Sequence, residues 1–151
     1  MGSNLAVFER AKPILQVIGS KINYAGTIGN GMTIKLAVNS LFAIQVAAMG
    51  ELMAAIAKTG LDEDRAVEII ADTPVCSLVA ENAARAIVAA KFAPLFPLEL
   101  VAKDLNYAIT TAKENKAKLP LVETTRQVCQ TAIQQGYGAN NITRIARLYF
   151  Y

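Results

Sequence analysis

The sequence contains no histidine and no tryptophan, and only two of its 151 residues are cysteine. Without histidine, the chain cannot assemble a Ser-His-Asp or Cys-His catalytic set from its own residues, and an ordinary His/Cys zinc site is excluded. Cys76 and Cys129 each lie in an apolar stretch, so we predict that both are small core residues without a redox role. Any proton transfer must therefore involve lysine, aspartate, glutamate or tyrosine, and we expect no metal site.

The sequence also lacks a strong net charge and any dense basic run. Fifteen lysines and arginines against twelve acidic residues give a net charge of only +3, so no basic patch follows a nucleic-acid backbone and we expect no nucleic-acid partner. No charged segment followed by an apolar core indicates secretion, and residues 1 to 3 resemble an expression remnant. We therefore expect a cytoplasmic protein.

Apolar residues are abundant, at 54% of the chain. The longest apolar segment runs from Met32 to Lys58 without a proline and is closed by Gly60, which predicts a helix of about 27 residues, roughly 40 Å long. Polar residues interrupt it, and no Trp or Tyr belt flanks it. We therefore predict a central buried helix and no membrane span.

Shorter segments on either side of this helix also have helical periodicity. The patterns predict helices over 5–18, ended by Gly19, from the N-cap Asp62 to about 72, over 76–90, 98–115 and 121–135, and from an N-cap at Asn140 or Asn141 to about Tyr149. Residues 21 to 26 alternate and predict one short strand. The fold class predicted is all-α, a helical bundle around one long central helix.

The start of the central helix has an unusual polar pair. Lys35 and Asn39 are four residues apart, so a helix places them on one face, which continues through the apolar Phe42, Val46 and Met53. The lysine can simply extend from this surface to water. Alternatively, a partly desolvated lysine exchanges a proton with a substrate hydroxyl while the amide orients that group. The spacing alone leaves both interpretations open.

Two glycines precede that helix, Gly29 and Gly31. A dinucleotide-binding G-x-G-x-x-G turn would require a third glycine where Ile34 stands, and it would require a parallel sheet. The favoured interpretation is a tight turn with close backbone approach. A helix N-terminus also attracts anions, so a carboxylate could lie near Gly31 to Thr33, beside Lys35.

The order of the motifs resembles one enzyme family. The motifs are G-x-G-x-x-x-K-x-x-x-N from Gly29, Gly-Leu-Asp from Gly60, F-x-L-x-L-x-x-K-D-L from Phe96, then Pro120 and a Gly-Tyr-Gly turn. Together they resemble the β-hydroxyacid dehydrogenases, the family of 3-hydroxyisobutyrate dehydrogenase, akin to 6-phosphogluconate dehydrogenase. The resemblance covers nearly the whole chain. It implies that residues 29–151 form the C-terminal helical substrate-binding and oligomerisation domain, and that residues 1–28 are the tail of a Rossmann cofactor domain.

The resemblance also implies roles for individual residues. Lys35 would be the catalytic general acid/base, and Asn39 would bind substrate. Gly29 and Gly31 would let the interdomain linker approach that substrate.

The F-x-L-x-L-x-x-K-D-L motif would contribute to cofactor binding. By the same resemblance, Lys103 and Phe96 would lie at the nicotinamide end of NAD or NADP. Asp104 would steady Lys103 or a helix end; taken alone, Lys103 and Asp104 are an ordinary surface pair. Further partners implied are a small β-hydroxy acid, the N-terminal Rossmann domain of a parent chain, and a second copy of this chain. Because the phosphate-binding glycine turn is missing, we expect the chain alone to be inactive.

Three positions depart from the family pattern. Phe42 stands where 6-phosphogluconate dehydrogenases have a proton-donating glutamate, so a decarboxylating reaction is not expected. Ser40 and Asn141 replace an asparagine and an aspartate of many members, and Ser40 argues against 3-hydroxyisobutyrate itself as the substrate. The alternative is a non-catalytic helical dimerisation or interaction module with this fold. Lys35 and Asn39 favour the enzyme, because packing alone would accept leucine or alanine there.

Overall fold

Helices make up nearly all the regular structure of residues 1 to 150, which are the residues described by this computed structural model. They are α1 (Leu5–Ile18), α2 (Asn30–Lys58), α3 (Glu63–Ala71), α4 (Leu78–Val88), α5 (Leu98–Glu114), α6 (Pro120–Ala132), a π-helical turn (Ile133–Tyr137) and a 3₁₀ helix (Ile142–Leu148). The predicted all-α class is confirmed. Tyr151, the last residue of the predicted helical domain, lies outside the described residues.

The chain divides into two units, residues 1 to 38 and residues 39 to 151. In the first unit, α1 begins where the Asn4 side chain accepts a hydrogen bond of 2.8 Å from the backbone N–H of Ala6, as expected of an N-cap. The helix continues through Pro13 and ends at Gly19. The buried Phe8 packs against Tyr24, with ring centroids 5.0 Å apart.

The strand predicted at residues 21 to 26 is absent, so that prediction is wrong for the described chain. The segment instead lies beside the first three residues: Ser3 N–H donates to the Gly26 carbonyl and Ala25 N–H donates to the Met1 carbonyl, both at 2.8 Å. A strand needs a neighbour along its length to satisfy its backbone groups, and three residues supply only a short one. Residues 1 to 3 are thus an integral part of this unit.

The second unit is organised around α2, which enters it at Asn39 and has the buried position predicted for it. Its largest fully buried side chains come from α2, α5, α6 and the 3₁₀ helix, and they are Val46, Met53, Leu98, Val101, Leu105, Cys129, Ile142 and Ile145. By length and composition, α2 could also cross a membrane. The core helix of a soluble protein passes the same test, and Val46 and Met53 of α2 are buried among protein side chains.

Local signals in the sequence explain most helix boundaries. The Asp62 carboxylate accepts from Arg65 N–H at 2.7 Å, and the Ser77 hydroxyl oxygen accepts from Ala80 N–H at 3.1 Å, so both residues are true N-caps. The predicted helix over 121–135 stops at Ala132. It widens into the π-helical turn, where Gly136 has a φ of 86° that glycine adopts without strain.

The two cysteines differ in environment. Cys129 is completely buried, and burial raises the pKa of its thiol to about 12. Cys76 is only half-buried. The prediction of a core cysteine is therefore confirmed for Cys129 and wrong for Cys76, which lies in the short connection before α4.

Candidate functional site

Gly29 and Gly31 shape the start of α2 in the first unit. Gly29 has a φ of 96°, a conformation that side chains with a Cβ rarely adopt, and its carbonyl accepts from Met32 and Thr33 N–H at 2.9 and 3.1 Å. At Gly31, an added Cβ would lie 2.9 Å from the backbone nitrogen of Gly2. A tight turn and a close backbone approach are therefore both present, and the approaching backbone is that of the chain itself.

Lys35 lies one turn further along α2 and is exposed. This exposure makes the Lys35 side chain accessible to a molecule arriving from solvent. Lys35 and Asn39 both belong to the residues of α2 (Asn30–Lys58) and are four residues apart in the sequence.

Asn39 is held by a carboxylate on α5. Its Nδ2 donates a hydrogen bond of 2.6 Å to Oδ2 of Asp104, which is only 6% exposed. The sequence interpretation of Lys103 and Asp104 as a surface pair is wrong, because Asp104 is buried and the described residues contain no ion pair between it and Lys103. Asp104 therefore positions the substrate-binding candidate Asn39, a contact that the sequence analysis missed.

One signal in the sequence could have indicated this contact. Leu98, Val101, Leu105 and Ala108 follow a helical spacing and are all buried on α5, and Asp104 lies within that stripe. A buried carboxylate requires a hydrogen-bond donor. The only polar residue of the predicted α2 face that offers an amide donor is Asn39, so burial and spacing together pointed to the pair.

Phe96 is fixed by a ring and by a side-chain amide. Its ring stacks on Phe42 of α2, with centroids 6.0 Å apart and an interplanar angle of 29°, and its N–H donates to Asn141 Oδ1 at 3.0 Å. Asn141 Nδ2 donates to the Thr143 hydroxyl at 2.9 Å. Asn141 is the N-cap residue of the 3₁₀ helix, as predicted, but its side chain makes no cap hydrogen bond and instead pins the loop before α5.

The remaining candidate, Lys103, is exposed on α5 and lies in a surface groove. Within residues 1 to 150, no group of three or more His, Cys, Asp or Glu side chains is arranged to hold a metal ion. In the second unit, two predicted site residues are therefore held by partners: Asn39 by Asp104, and Phe96 by Phe42.

Comparison with known proteins shows which family the chain belongs to. Residues 29–149 match the profile of the family described as the NAD-binding domain of NADP-dependent 3-hydroxyisobutyrate dehydrogenase. The chain belongs to the 3-hydroxyisobutyrate dehydrogenase family of β-hydroxyacid dehydrogenases, whose cofactor is NAD or NADP.

Individual relatives agree. The chain is 29% identical over 150 residues to 2-(hydroxymethyl)glutarate dehydrogenase of Eubacterium barkeri, covering 99% of this chain and 50% of that protein. It is 30% identical over 136 residues to 2-hydroxy-3-oxopropionate reductase of Escherichia coli, covering 90% and 47%. The crystal structure of 3-hydroxyisobutyrate dehydrogenase from Salmonella typhimurium superposes with a TM-score of 0.90 at 28% identity, covering 98% and 52%. The chain therefore spans about half the length of the relatives it matches.

The Asn39–Asp104 contact should be measurable as a coupling energy. We expect Asn39→Ala and Asp104→Ala to be coupled by about 1.5 to 3 kcal/mol in the free energy of unfolding, the usual range for a hydrogen bond to a charged group. A double-mutant cycle from urea denaturation gives this value directly. Asn39→Ala combined with Asn106→Ala, an exposed residue of α5, is the control and should be additive within about 0.5 kcal/mol. Coupling of that small size for Asn39 and Asp104 would contradict the role assigned to Asp104.

Proposed function

We propose that this chain is the helical, C-terminal, substrate-binding part of a cytoplasmic NAD- or NADP-dependent oxidoreductase that acts on a small β-hydroxy acid. Residues 1–28 would form the end of its Rossmann cofactor domain. The observation that carries the proposal is the hydrogen bond by which the buried Asp104 orients the amide of Asn39. Lys35 joins it through the sequence motif, four residues before Asn39. Family membership supports the reaction class.

Proton transfer is assigned to Lys35. A bound nicotinamide would supply the hydride acceptor for oxidation of the hydroxyl-bearing carbon and the hydride donor for the reverse reaction. Lys35, in its neutral amine form, takes the hydroxyl proton and becomes the ammonium as the alcohol becomes a carbonyl, and the ammonium gives the proton back in the reverse direction, so charge and atoms balance. In a chain without histidine, an accessible lysine next to a substrate-orienting amide is suited to this task.

Asn39 is assigned to the substrate. Since one of its N–H groups is engaged by Asp104 at 2.6 Å, its carbonyl oxygen and second N–H remain to orient the substrate hydroxyl or carboxylate. Fixing the amide in advance lowers the entropy cost of aligning the substrate. Asp104 acts through Asn39 and is a positioning residue.

The environment of Phe42 supports a reaction without decarboxylation. Its ring is stacked on Phe96, so the position offers a hydrophobic wall and no proton donor to a carbanion. Phe96 and Lys103 are proposed to meet the nicotinamide end of the cofactor. Ser40 is buried, and its difference from the family pattern favours a substrate other than 3-hydroxyisobutyrate.

The isolated chain should bind nicotinamide cofactors weakly. It lacks the glycine turn that holds the pyrophosphate and the acidic residue that holds the ribose, although its family profile is described as NAD-binding. We expect no turnover and no micromolar affinity in calorimetric titrations with NADH and NADPH. Micromolar binding of either cofactor to this chain would mean that its main binding determinants lie in the helical part.

Lys35→Met should disable the whole enzyme while leaving it folded. The substitution keeps the apolar stem but removes the proton-transfer group, so kcat on short β-hydroxy acids should fall by about 10²-fold to 10⁴-fold. Asn39→Ala should instead act mainly through KM, because the orienting hydrogen bond is already made in the ground state.

Lys91→Met, in the exposed connection after α4, is the matched control and should leave both kinetic constants unchanged. Circular dichroism of each variant checks folding. A folded Lys35→Met enzyme with near-normal kcat would remove the catalytic role and leave Lys35 as a surface residue of α2.

A second copy of the chain is the proposed partner of α2. Exposed or half-exposed residues recur on it at steps of four and three, at Leu41, Gln45, Ala48, Leu52 and Ala55, and none is charged. A seven-residue repeat of this kind pairs with a like helix, and Leu41 and Leu52 expose more than half of their surface.

We therefore expect a homo-oligomer in sedimentation velocity at tens of micromolar. Leu52→Glu should shift it to the monomer, because a charge in an apolar contact is costly to desolvate. Leu121→Glu, at an equally exposed position on α6, should leave the oligomer intact. A monomeric wild-type chain would refute this association.

A further inference from the structure

The connection between α4 and α5, residues 89 to 97, carries Phe96 and contains no helix or strand. The ring of Phe96 stacks on Phe42 of α2, and the residue as a whole is half-buried, so part of its surface remains accessible to a ligand. Backbone groups in such a segment have no regular ladder of partners and bond to whatever lies beside them. The position of Phe96 therefore depends on the groups that bond to this connection.

Asn141 and Ile142 hold the connection at both of its phenylalanines. The backbone N–H of Asn141 donates to the Phe92 carbonyl at 3.2 Å, and the N–H of Ile142 donates to the Phe96 carbonyl at 3.0 Å. These two bonds join backbone groups, so they depend little on the side chains. A third bond does depend on one, because the N–H of Phe96 donates to Oδ1 of the Asn141 side chain at 3.0 Å. The placement of Phe96 is thus sensitive to the residue at position 141.

The amide of Asn141 is itself fixed. The residue is only 9% exposed, and its Nδ2 donates to the Thr143 hydroxyl at 2.9 Å. Because a backbone N–H can only donate, the amide oxygen must face Phe96 and the amide nitrogen must face Thr143. A buried amide with both ends bonded specifies one arrangement of its partners. An apolar side chain at this position would leave the Phe96 N–H without this acceptor, which is unfavourable for a group removed from water.

The preceding residue, Asn140, provides a comparison. Its backbone carbonyl accepts from the N–H of Leu98 at 3.0 Å, but its side chain makes no hydrogen bond within residues 1 to 150. Two adjacent asparagines therefore differ: the side chain of Asn141 holds the connection before α5, whereas Asn140 contributes through its backbone.

We infer that Asn141 is a positioning residue for the cofactor: through its hydrogen bond to the Phe96 N–H, it holds Phe96 where the nicotinamide end of NAD or NADP binds. This inference rests on the proposed function, which assigns Phe96 to the cofactor. It adds that the affinity for the cofactor depends on residue 141. The affinity for the β-hydroxy acid does not, because the substrate is assigned to Asn39, whose amide is held separately by Asp104.

The test is to change residue 141 in the whole enzyme and to measure steady-state kinetics and calorimetric cofactor binding. Asn141→Leu keeps nearly the same side-chain size but removes both hydrogen bonds of the amide. We expect KM and Kd for the nicotinamide cofactor to rise by about fivefold to tenfold, the effect of one lost hydrogen bond. KM for the β-hydroxy acid should change by less than about twofold, since its binding contacts are retained.

Two further variants separate positioning from a general effect on stability. Asn141→Asp should restore cofactor affinity, because one carboxylate oxygen still accepts from the Phe96 N–H and the Thr143 hydroxyl can donate to the other. Asn140→Leu is the matched control and should leave both KM values unchanged. A merely structural role for Asn141 would lower the stability of Asn141→Leu without separating the KM of the cofactor from that of the substrate.

Phe96→Ala distinguishes this inference from the proposed function. If Phe96→Ala leaves cofactor affinity unchanged, the assignment of Phe96 to the cofactor fails and the inference fails with it. If Phe96→Ala weakens cofactor binding but folded Asn141→Leu does not, or if Asn141→Asp is as impaired as Asn141→Leu, only the positioning role is overturned. If circular dichroism shows that Asn141→Leu is unfolded, Thr143→Val, which removes the hydroxyl that fixes the amide, decides by the same comparison: an unchanged cofactor KM overturns the inference.

Discussion

A single buried carboxylate organises the polar part of the second unit. Asp104 lies among apolar side chains on the inner face of α5, where an anion without donors would be strongly destabilising. The amide of Asn39 on α2 meets it at 2.6 Å. This hydrogen bond connects the long central helix to α5 and orients the amide of Asn39.

The apolar packing around this contact explains why a polar pair is tolerated there. Val46 and Met53 of α2 are fully buried with Leu98, Val101 and Leu105 of α5, and these contacts supply the hydrophobic stabilisation. The main effect of the Asn39–Asp104 contact is on geometry, because a satisfied polar contact inside a core specifies one arrangement of the helices. Phe42 and Phe96 extend the same interface with a stacked ring pair.

Much of the second unit was predictable because local signals determine it. Asp62, Gly60 and Pro120 mark helix ends in the sequence, and the structure places helix boundaries at or next to each. The i to i+4 spacing of Lys35 and Asn39 follows from the continuity of α2. The family resemblance was likewise predictable, because it depends on residue types at fixed separations, and the comparisons confirm it.

The errors concern features that depend on contacts distant in sequence. The prediction of a strand at residues 21 to 26 was wrong because an alternating apolar and polar sequence cannot by itself supply a neighbouring strand. Asn141 carries the residue type of an N-cap, yet its side chain bonds a loop residue 45 positions away. Asp104 appears as a surface residue when its neighbour Lys103 is considered, and as a buried one only when the whole stripe of α5 is considered.

The central claim is that the polar pair of α2 handles the substrate hydroxyl. The most direct measurement is a crystal structure of the whole enzyme with NAD or NADP and a β-hydroxy acid. We predict that Nζ of Lys35 lies within hydrogen-bond distance of the substrate hydroxyl oxygen, about 2.6 to 3.2 Å, while Asn39 contacts the same substrate and retains its bond to Asp104. A bound substrate whose hydroxyl oxygen lies beyond the reach of Lys35, with another residue at that proton, would contradict the account.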